Sequence, residues 1–317
     1  MSTEIKLERT LHLKQNHFKW ICFLFTSLLF LSQCGTNSNP NTYENKDDLD
    51  LSDWIEVKSG NMPLVISAPH GGTLTPNEIP DRTCPDITTV TDSNTDDLAF
   101  ELQHQINEQF GMEPYIVVAL ISRKKIDLNR NIQEASCGNS ITKKIWNTYH
   151  DYVEKAIAKA VKEHGGVIFI DLHGHGHDNQ RLELGYLLSK EELRESFNGS
   201  DQTGELGEKS SLGNLLSGTN DVNLQDLLTG EHAFGTIMED EGVASVPSLQ
   251  DPFPYQDQAY FTGGYNTSRY TSEDYPEVFG WQIEANFDGV RDSDESRSEF
   301  SKAFSKAIMV QLEEYIF

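Results

Sequence analysis

The chain has 317 residues, 37% hydrophobic and 10% aromatic, which is enough for one large α/β core, and its 11 prolines are too few for a low-complexity chain. Fifty acidic residues against 25 basic ones give a formal net charge of -25. That balance argues against a nucleic-acid partner, since phosphate backbones are bound through Lys and Arg, and against attraction to an anionic membrane surface.

The amino-terminal segment reads as a targeting signal. Lys6, Arg9, Lys14 and Lys19 precede an apolar run at residues 20–31, too short for an ordinary membrane span of about 20 apolar residues. The run ends in Leu31-Ser32-Gln33-Cys34, similar to a bacterial lipoprotein signal in which the cysteine becomes the lipidated first residue, although Gln33 replaces the usual small residue. Residues 1–33 are therefore read as an export signal and 34–53 as a flexible tether, with an ordinary signal peptide or an uncleaved anchor as alternatives. The expected location is a bacterial cell envelope, periplasmic or outer surface, held by a lipid anchor at Cys34. Cys84 and Cys137 are then left over, and outside the cytoplasm such thiols either pair or stay free.

Residues 54–317 read as a single domain. Segments 54–57 and 64–67 predict a first pair of strands, and the second runs into Ala68-Pro69-His70-Gly71-Gly72, a histidine at a strand end followed by glycines that permit close backbone approach. Residues 94–110 predict an amphipathic helix with Leu98, Leu102, Ile106 and Phe110 on its apolar stripe. Asp92 stands just before it, either as a charge favoured by the helix dipole or as a metal ligand. Residues 115–121 predict a buried strand leading into the basic segment 122–130. There Arg123 and Arg130 are either receptors for a substrate carboxylate or partners of nearby acids. Residues 141–163 predict a long helix buried through Ile145, Tyr149, Val153, Ile157 and Val161.

The most informative stretch is VIFIDLHGHGHD at 167–178. Residues 167–170 predict a strand buried on both faces, and in open α/β sheets ligands collect at the carboxyl ends of strands. Alternation places Asp171 and His173 on one face, where the acid can hold the imidazole, while His175 and His177 fit a supporting or substrate-facing role. Residues 182–189 predict another strand, 190–230 an excursion of short helices that forms a candidate lid, and 231–241 a helix with Thr229 near its start and a structural His232. A turn at 263–267 offers Tyr265 and Asn266 as substrate contacts. In the strand 280–286, Gln282, Glu284 and Asn286 share one face and Trp281, Ile283 and Ala285 the other. A carboxylate there is costly to bury without a partner. Residues 296–315 predict a closing helix.

Two histidines from separate strand ends, acids near both and a glutamate on another strand are the parts of a hydrolytic zinc site with three protein ligands and an open position. A metal there lowers the pKa of a water to about 7 and lets a carboxylate take its proton. The assignment is His70, Asp92 and His173 as ligands of one zinc per chain and Glu284 as general base, with Asp171 behind His173.

The ordered segments SAPHGG (67–72), TDSNTDDLA (91–99), SRKKIDLNR (122–130), DLHGHG (171–176), GGYNT (263–267) and WQIEAN (281–286) together resemble the N-formylglutamate amidohydrolases. The resemblance implies a zinc hydrolase related in fold to the metallocarboxypeptidases: a three-layer α/β architecture, with a mixed, mostly parallel sheet between helices on both faces. It also implies that Asn129 and Arg130 hold a substrate carboxylate. Where the carboxypeptidase pattern places a ligand glutamate three residues after the first histidine, this chain has Thr73, so the third ligand comes from elsewhere. The expected activity is hydrolysis of an N-formyl or N-acyl amino acid or a similar carboxylate-bearing amide. A carboxypeptidase-like peptidase and a non-catalytic ligand-binding lipoprotein are the alternatives.

Overall fold

A computed structural model describes residues 51–198, 204–218 and 222–317; the export signal, Cys34 and all but the end of the tether lie outside the described residues. Residues 49–317 form one compact unit.

The elements follow in chain order. β1 (Ile55–Lys58) and β2 (Leu64–Ala68) precede α1 (Thr95–Phe110), β3 (Tyr115–Ala119), α2 (Ile132–Ser136), α3 (Ser140–His164), β4 (Val167–His175) and β5 (Leu182–Gly185). The excursion contains α4 (Lys190–Phe197), α5 (Glu205–Lys209), α6 (Gly213–Gly218) and α7 (Leu224–Thr229), followed by α8 (Phe234–Asp240) and β6 (Ser245–Val246). α9 (Tyr265–Tyr270), β7 (Val278–Asn286) and α10 (Asp294–Tyr315) complete the domain.

The strands form one seven-stranded sheet in the order β1-β3-β2-β4-β7-β5-β6. Its inner pairs β3-β2, β2-β4 and β4-β7 are parallel, while β1 and β5 join antiparallel. The predicted first pair of strands does not pair with itself, because β3 inserts between β1 and β2. Helices cover both faces. On one, Leu98, Leu102 and Ile106 of α1 and Phe300, Phe304 and Ile308 of α10 pack on Ile66, Ile170, Trp281 and Ile283. On the other, Ile145, Tyr149, Val153 and Ile157 of α3 pack on Val65, Val117 and Phe169. Each fully buried aliphatic side chain contributes roughly 1.5–3 kcal/mol of transfer free energy, so the sheet is held from both sides.

The helix limits have local causes. The Asn139 side chain accepts from Ile141 and Thr142 at the start of α3, and Gly165 closes it at φ 86°. Ser189 and Glu192 form a capping box at α4.

Several expectations shift. Phe110 is exposed, since α1 runs out beyond the sheet, and Val161 is only partly buried. β4 extends past Ile170 to His175, and β5 is shorter than 182–189 because Leu187 takes a left-handed φ of 64°. Thr229 ends α7 instead of starting α8, whose first helical residue is Phe234. The segment 263–267 is half helix, with α9 beginning at Tyr265. The described parts of the excursion pack into the core. Leu193, Leu212, Leu224 and Leu227 sink into the α1/α10 core, and Asn214 Nδ2 reaches the Val278 carbonyl (2.8 Å) where β7 starts, at the opposite end from the strand ends that carry the histidines.

Beneath the site, His150 of α3 is buried between Trp146 and Tyr270, with Nδ1 2.6 Å from the Tyr270 hydroxyl. Burial, aided by the Arg269 charge, pushes its pKa down to about 3. The folded value lies below the unfolded value, so as pH falls the unfolded chain takes this proton first. Stability from this group is complete above about 6.5 and declines towards about 3, by up to about 1.4 kcal/mol per pH unit. Urea unfolding of His150→Gln between pH 6.5 and 4.5 is expected to show a shallower loss of stability than wild type; an unchanged slope would contradict the buried neutral imidazole.

Candidate metal centre

The face of the sheet that packs on α3 turns polar towards the carboxyl ends of its parallel strands. Along β2 it runs Val65 then Ser67, and along β4 it runs Phe169, Asp171, His173. The register pairs Ser67 with Asp171, Asp171 with Gln282, and His173 with Glu284. Laterally paired residues point to the same face, so apolar alternation builds the core at one end and the site at the other.

Three donors converge there. His70 Nδ1 lies 3.1 Å from His173 Nδ1, and Asp92 Oδ2 lies 3.1 Å from His173 Nδ1 and 3.4 Å from His70 Nδ1. All three residues are at least nine-tenths buried. The far nitrogens are also held: His70 Nε2 is 2.7 Å from Asp127 Oδ1, and His173 Nε2 is 2.8 Å from Asp171 Oδ2. With each Nε2 proton directed to the acid behind it, each Nδ1 faces the shared space, where its lone pair can take a metal or, in the metal-free chain, a proton. Two lone pairs at 3.1 Å repel unless a cation or proton lies between them.

This set fits a zinc ion. Ligand atoms about 2.0–2.1 Å from a tetrahedral metal stand about 3.3 Å apart, and the three observed separations match one face of such a tetrahedron. Without the metal a proton takes its place. Burial opposes the charge on His173, but Asp171, Asp92 and Glu284 outweigh it and hold the imidazole pKa well above its ordinary value. Asp92 is held well below the carboxylate range, its burial overcome by His173 and His70.

The supports reach further back. Ser67 Oγ donates to Asp171 Oδ1 at 2.5 Å, and Asn266 Nδ2 lies 3.3 Å from the same oxygen. Asp127 also accepts from Arg123 Nε at 2.9 Å. Glu284 is buried; its Oε1 accepts from Gln282 Nε2 at 2.8 Å, and Oε2 has no protein hydrogen bond among the described residues. Burial pushes its carboxyl up to about 8, with Asp92, Glu183 and Asp171 adding to the shift and His173 opposing it.

The predicted ligands, their base and Asp171 therefore come together, and Asp92 faces the site rather than capping α1. The predicted substrate contacts divide. Arg123 is paired with Asp127 through Nε and lies 4.0 Å from Asp92, so it braces the centre. Asn129 is likewise internal: its Oδ1 accepts the Asn266 N–H at 2.7 Å and its Nδ2 lies 3.0 Å from His173 Nε2, the proton of which goes to Asp171. A Cβ on Gly264 would stand 2.4 Å from Asn129 Nδ2, so only glycine lets the chain pass. Asn266 is fully buried, and the Tyr265 hydroxyl accepts from Arg269 while its ring lies near Trp146 and His150, so both build the wall and floor. The His175 ring hydrogen-bonds backbone groups only, its Nε2 donating to the Arg181 carbonyl (2.9 Å) and its Nδ1 accepting the His177 N–H (3.0 Å). His175, His177 and Glu183 form a second cluster, but both nitrogens of His175 are already engaged, so the convergent lone pairs of the first cluster are missing.

Arg130 lines a cavity of about 460 Å³ with Arg82, Asp86, Asp127, Gln133 and Glu134; its Nη1 donates to the Asn129 carbonyl at 2.7 Å, and no carboxylate lies within 4.0 Å of its guanidinium among the described residues. The Cys84–Cys137 disulfide ties this cavity's loop to the end of α2. Sequence reasoning missed Asp127, hidden in a run read for its basic residues, as well as Ser67 and Glu183. Glu183 carried the same signal as Glu284, an inward acid on an apolar strand.

No family model matches the chain, and no curated protein matches it. Among solved structures, it is similar to N-formylglutamate amidohydrolase from Ralstonia eutropha JMP134, with 13% identity over 83% of this chain and 98% of that one, at a TM-score of 0.48. It is also similar to the gene product Atu2144 from Agrobacterium tumefaciens (11% identity, 82% and 95% coverage, TM-score 0.48). A bacteriophage poly-gamma-glutamate hydrolase matches at 14% identity, 82% and 89% coverage and a TM-score of 0.31. The likeness is one of chain path at low identity, and the chemistry below rests on this chain's own side chains.

Asp127→Asn and Asp171→Asn should each weaken zinc binding about 10–100-fold, because each replaces the charged acceptor behind an imidazole with a weaker, neutral one whose NH2 can turn towards the ring. Competition titration with a chromophoric chelator measures this, and wild-type affinity in both variants would contradict the lone-pair arrangement.

Proposed function

We propose that the protein is an exported zinc-dependent amidohydrolase acting on a small amide that carries a free carboxylate, such as an N-formyl or N-acyl amino acid. The observation that carries this reading is the triangle of His70, Asp92 and His173 donors with the Glu284 carboxyl on the adjoining strand. Zinc held by that triangle would act as a Lewis acid towards the amide carbonyl and acidify a water.

The chain's residues supply the remainder. Glu284 Oε2, without a protein partner, accepts a proton from the attacking water and returns it to the leaving nitrogen, and Gln282 fixes the carboxylate plane through Oε1. A raised affinity for protons suits a group that must both take and give one. Binding a dication beside it offsets the field of Asp92, Asp171 and Glu183 and brings its pKa towards the working range. Arg130 offers its guanidinium to the substrate carboxylate in the neighbouring cavity. The Cys84–Cys137 bridge fits an oxidising compartment, which supports export and, with Cys34, anchoring in a bacterial cell envelope.

Glu284→Gln is expected to keep one equivalent of zinc and lose hydrolysis by about 100-fold or more. Turnover of N-formyl and N-acetyl amino acids beside dipeptides, followed by amine release, identifies the substrate. Preference for dipeptides would move the assignment to a carboxypeptidase-like peptidase, and no turnover of any amide by the zinc-loaded chain would leave a ligand-binding lipoprotein. Arg130→Met should raise KM about 10–100-fold for carboxylate-bearing amides with kcat little changed, and an unaltered KM would remove Arg130 from substrate binding.

A further inference from the structure

We infer that Arg291 is a positioning residue that locks together the three segments carrying Asp92, His173 and Glu284, and that Gly174 is glycine so that its guanidinium can pass. The inference rests on the metal-centre reading only for the purpose of the lock; the lock itself is visible in the metal-free chain.

Arg291 lies after β7 in the turn before α10 and is 3% exposed. A buried guanidinium ordinarily meets a carboxylate, yet this one hydrogen-bonds three backbone carbonyls. Nε donates to Ala285 (3.0 Å), Nη2 to His175 (3.0 Å) and Nη1 to Ser93. Each carbonyl adjoins a member of the site: Ala285 follows Glu284, Ser93 follows Asp92, and His175 stands two residues past His173. The planar fork can reach three acceptors at once, whereas a lysine ammonium offers a single point. Its charge also faces Asp92 and Glu284, whose fields oppose the effect of burial on it.

Two further contacts close the lock. Asn94, held at a left-handed φ of 64°, donates Nδ2 to the Arg291 carbonyl at 2.8 Å, and Arg297 Nη1 donates to the same oxygen at 2.8 Å. Opposite, a Cβ built on Gly174 would stand 2.2 Å from Arg291 Cζ, 2.5 Å from Nε and 2.6 Å from Nη1. Any other residue at 174 displaces the guanidinium, so the glycine between two histidines of β4 is required by an arginine more than a hundred positions away in sequence.

The test uses the mature chain carrying Arg291→Lys, which keeps the charge and loses the fork, and separately Gly174→Ala, which keeps the arginine and moves it. In metal-free protein, amide hydrogen exchange should quicken together at 92–95, 174–177 and 285–290 by about 10-fold or more, with α3 amides unchanged. Zinc affinity should fall about 10–100-fold, the range for outer partners of metal ligands. Exchange that quickens throughout the domain would reduce Arg291 to a general stabiliser and overturn the inference, as would wild-type exchange in both variants. Zinc binding by the wild-type chain is read separately, so failure of the metal assignment remains distinguishable from failure of the lock.

Discussion

Two imidazoles face each other through their Nδ1 atoms because a buried carboxylate stands behind each one, Asp127 behind His70 and Asp171 behind His173. That constraint organises the centre. Were either acid absent, the ring could turn or change tautomer, and the lone pairs would no longer converge with Asp92 on one point. The cost of placing so many acids in a dry site is offset by Arg82 and Arg123 near Asp127 and by the field between Arg291 and Asp92, and a metal between the rings would offset it further. An acidic protein thus concentrates its buried arginines where its buried carboxylates must stay ionised.

The fold delivers these groups through strand parity. On the α3 side of the sheet, β2 and β4 begin with aliphatic or aromatic residues and end with polar ones, so the register that pairs Val65 with Phe169 also pairs Ser67 with Asp171. A slip of one residue in β4 would bury Leu172 at the metal centre and send His173 into the core under α1. The two apolar faces therefore hold the register of the site as well as the fold, and the described leucines of the excursion join the core on the α1/α10 face.

Much of this was legible in the sequence where a periodic signal carried it. Alternation identified Glu284 and the Asp171–His173 pair, and an apolar run stopping in histidines marked the strand end. Pairing order was not legible, because nothing local told β1 that β3 would come between it and β2. Nor were the roles of Arg123, Asn129, Asn266 and His175. Each is a polar residue in a polar motif, and what it faces is set by packing that local pattern does not carry; Asn129, for one, meets His173 and Asn266, 44 and 137 residues away. The resemblance to N-formylglutamate amidohydrolases found the right motifs but could not say which of their members would touch a ligand.

The most direct test of the account is anomalous diffraction at the zinc absorption edge from crystals of the zinc-loaded chain. The account predicts one strong peak per chain, about 2.0–2.1 Å from His70 Nδ1 and His173 Nδ1 and bonded to Asp92, with both Nε2 atoms still on their carboxylates. A peak at His175, His177 and Glu183 instead, ligation through Nε2, or no peak at all would contradict it.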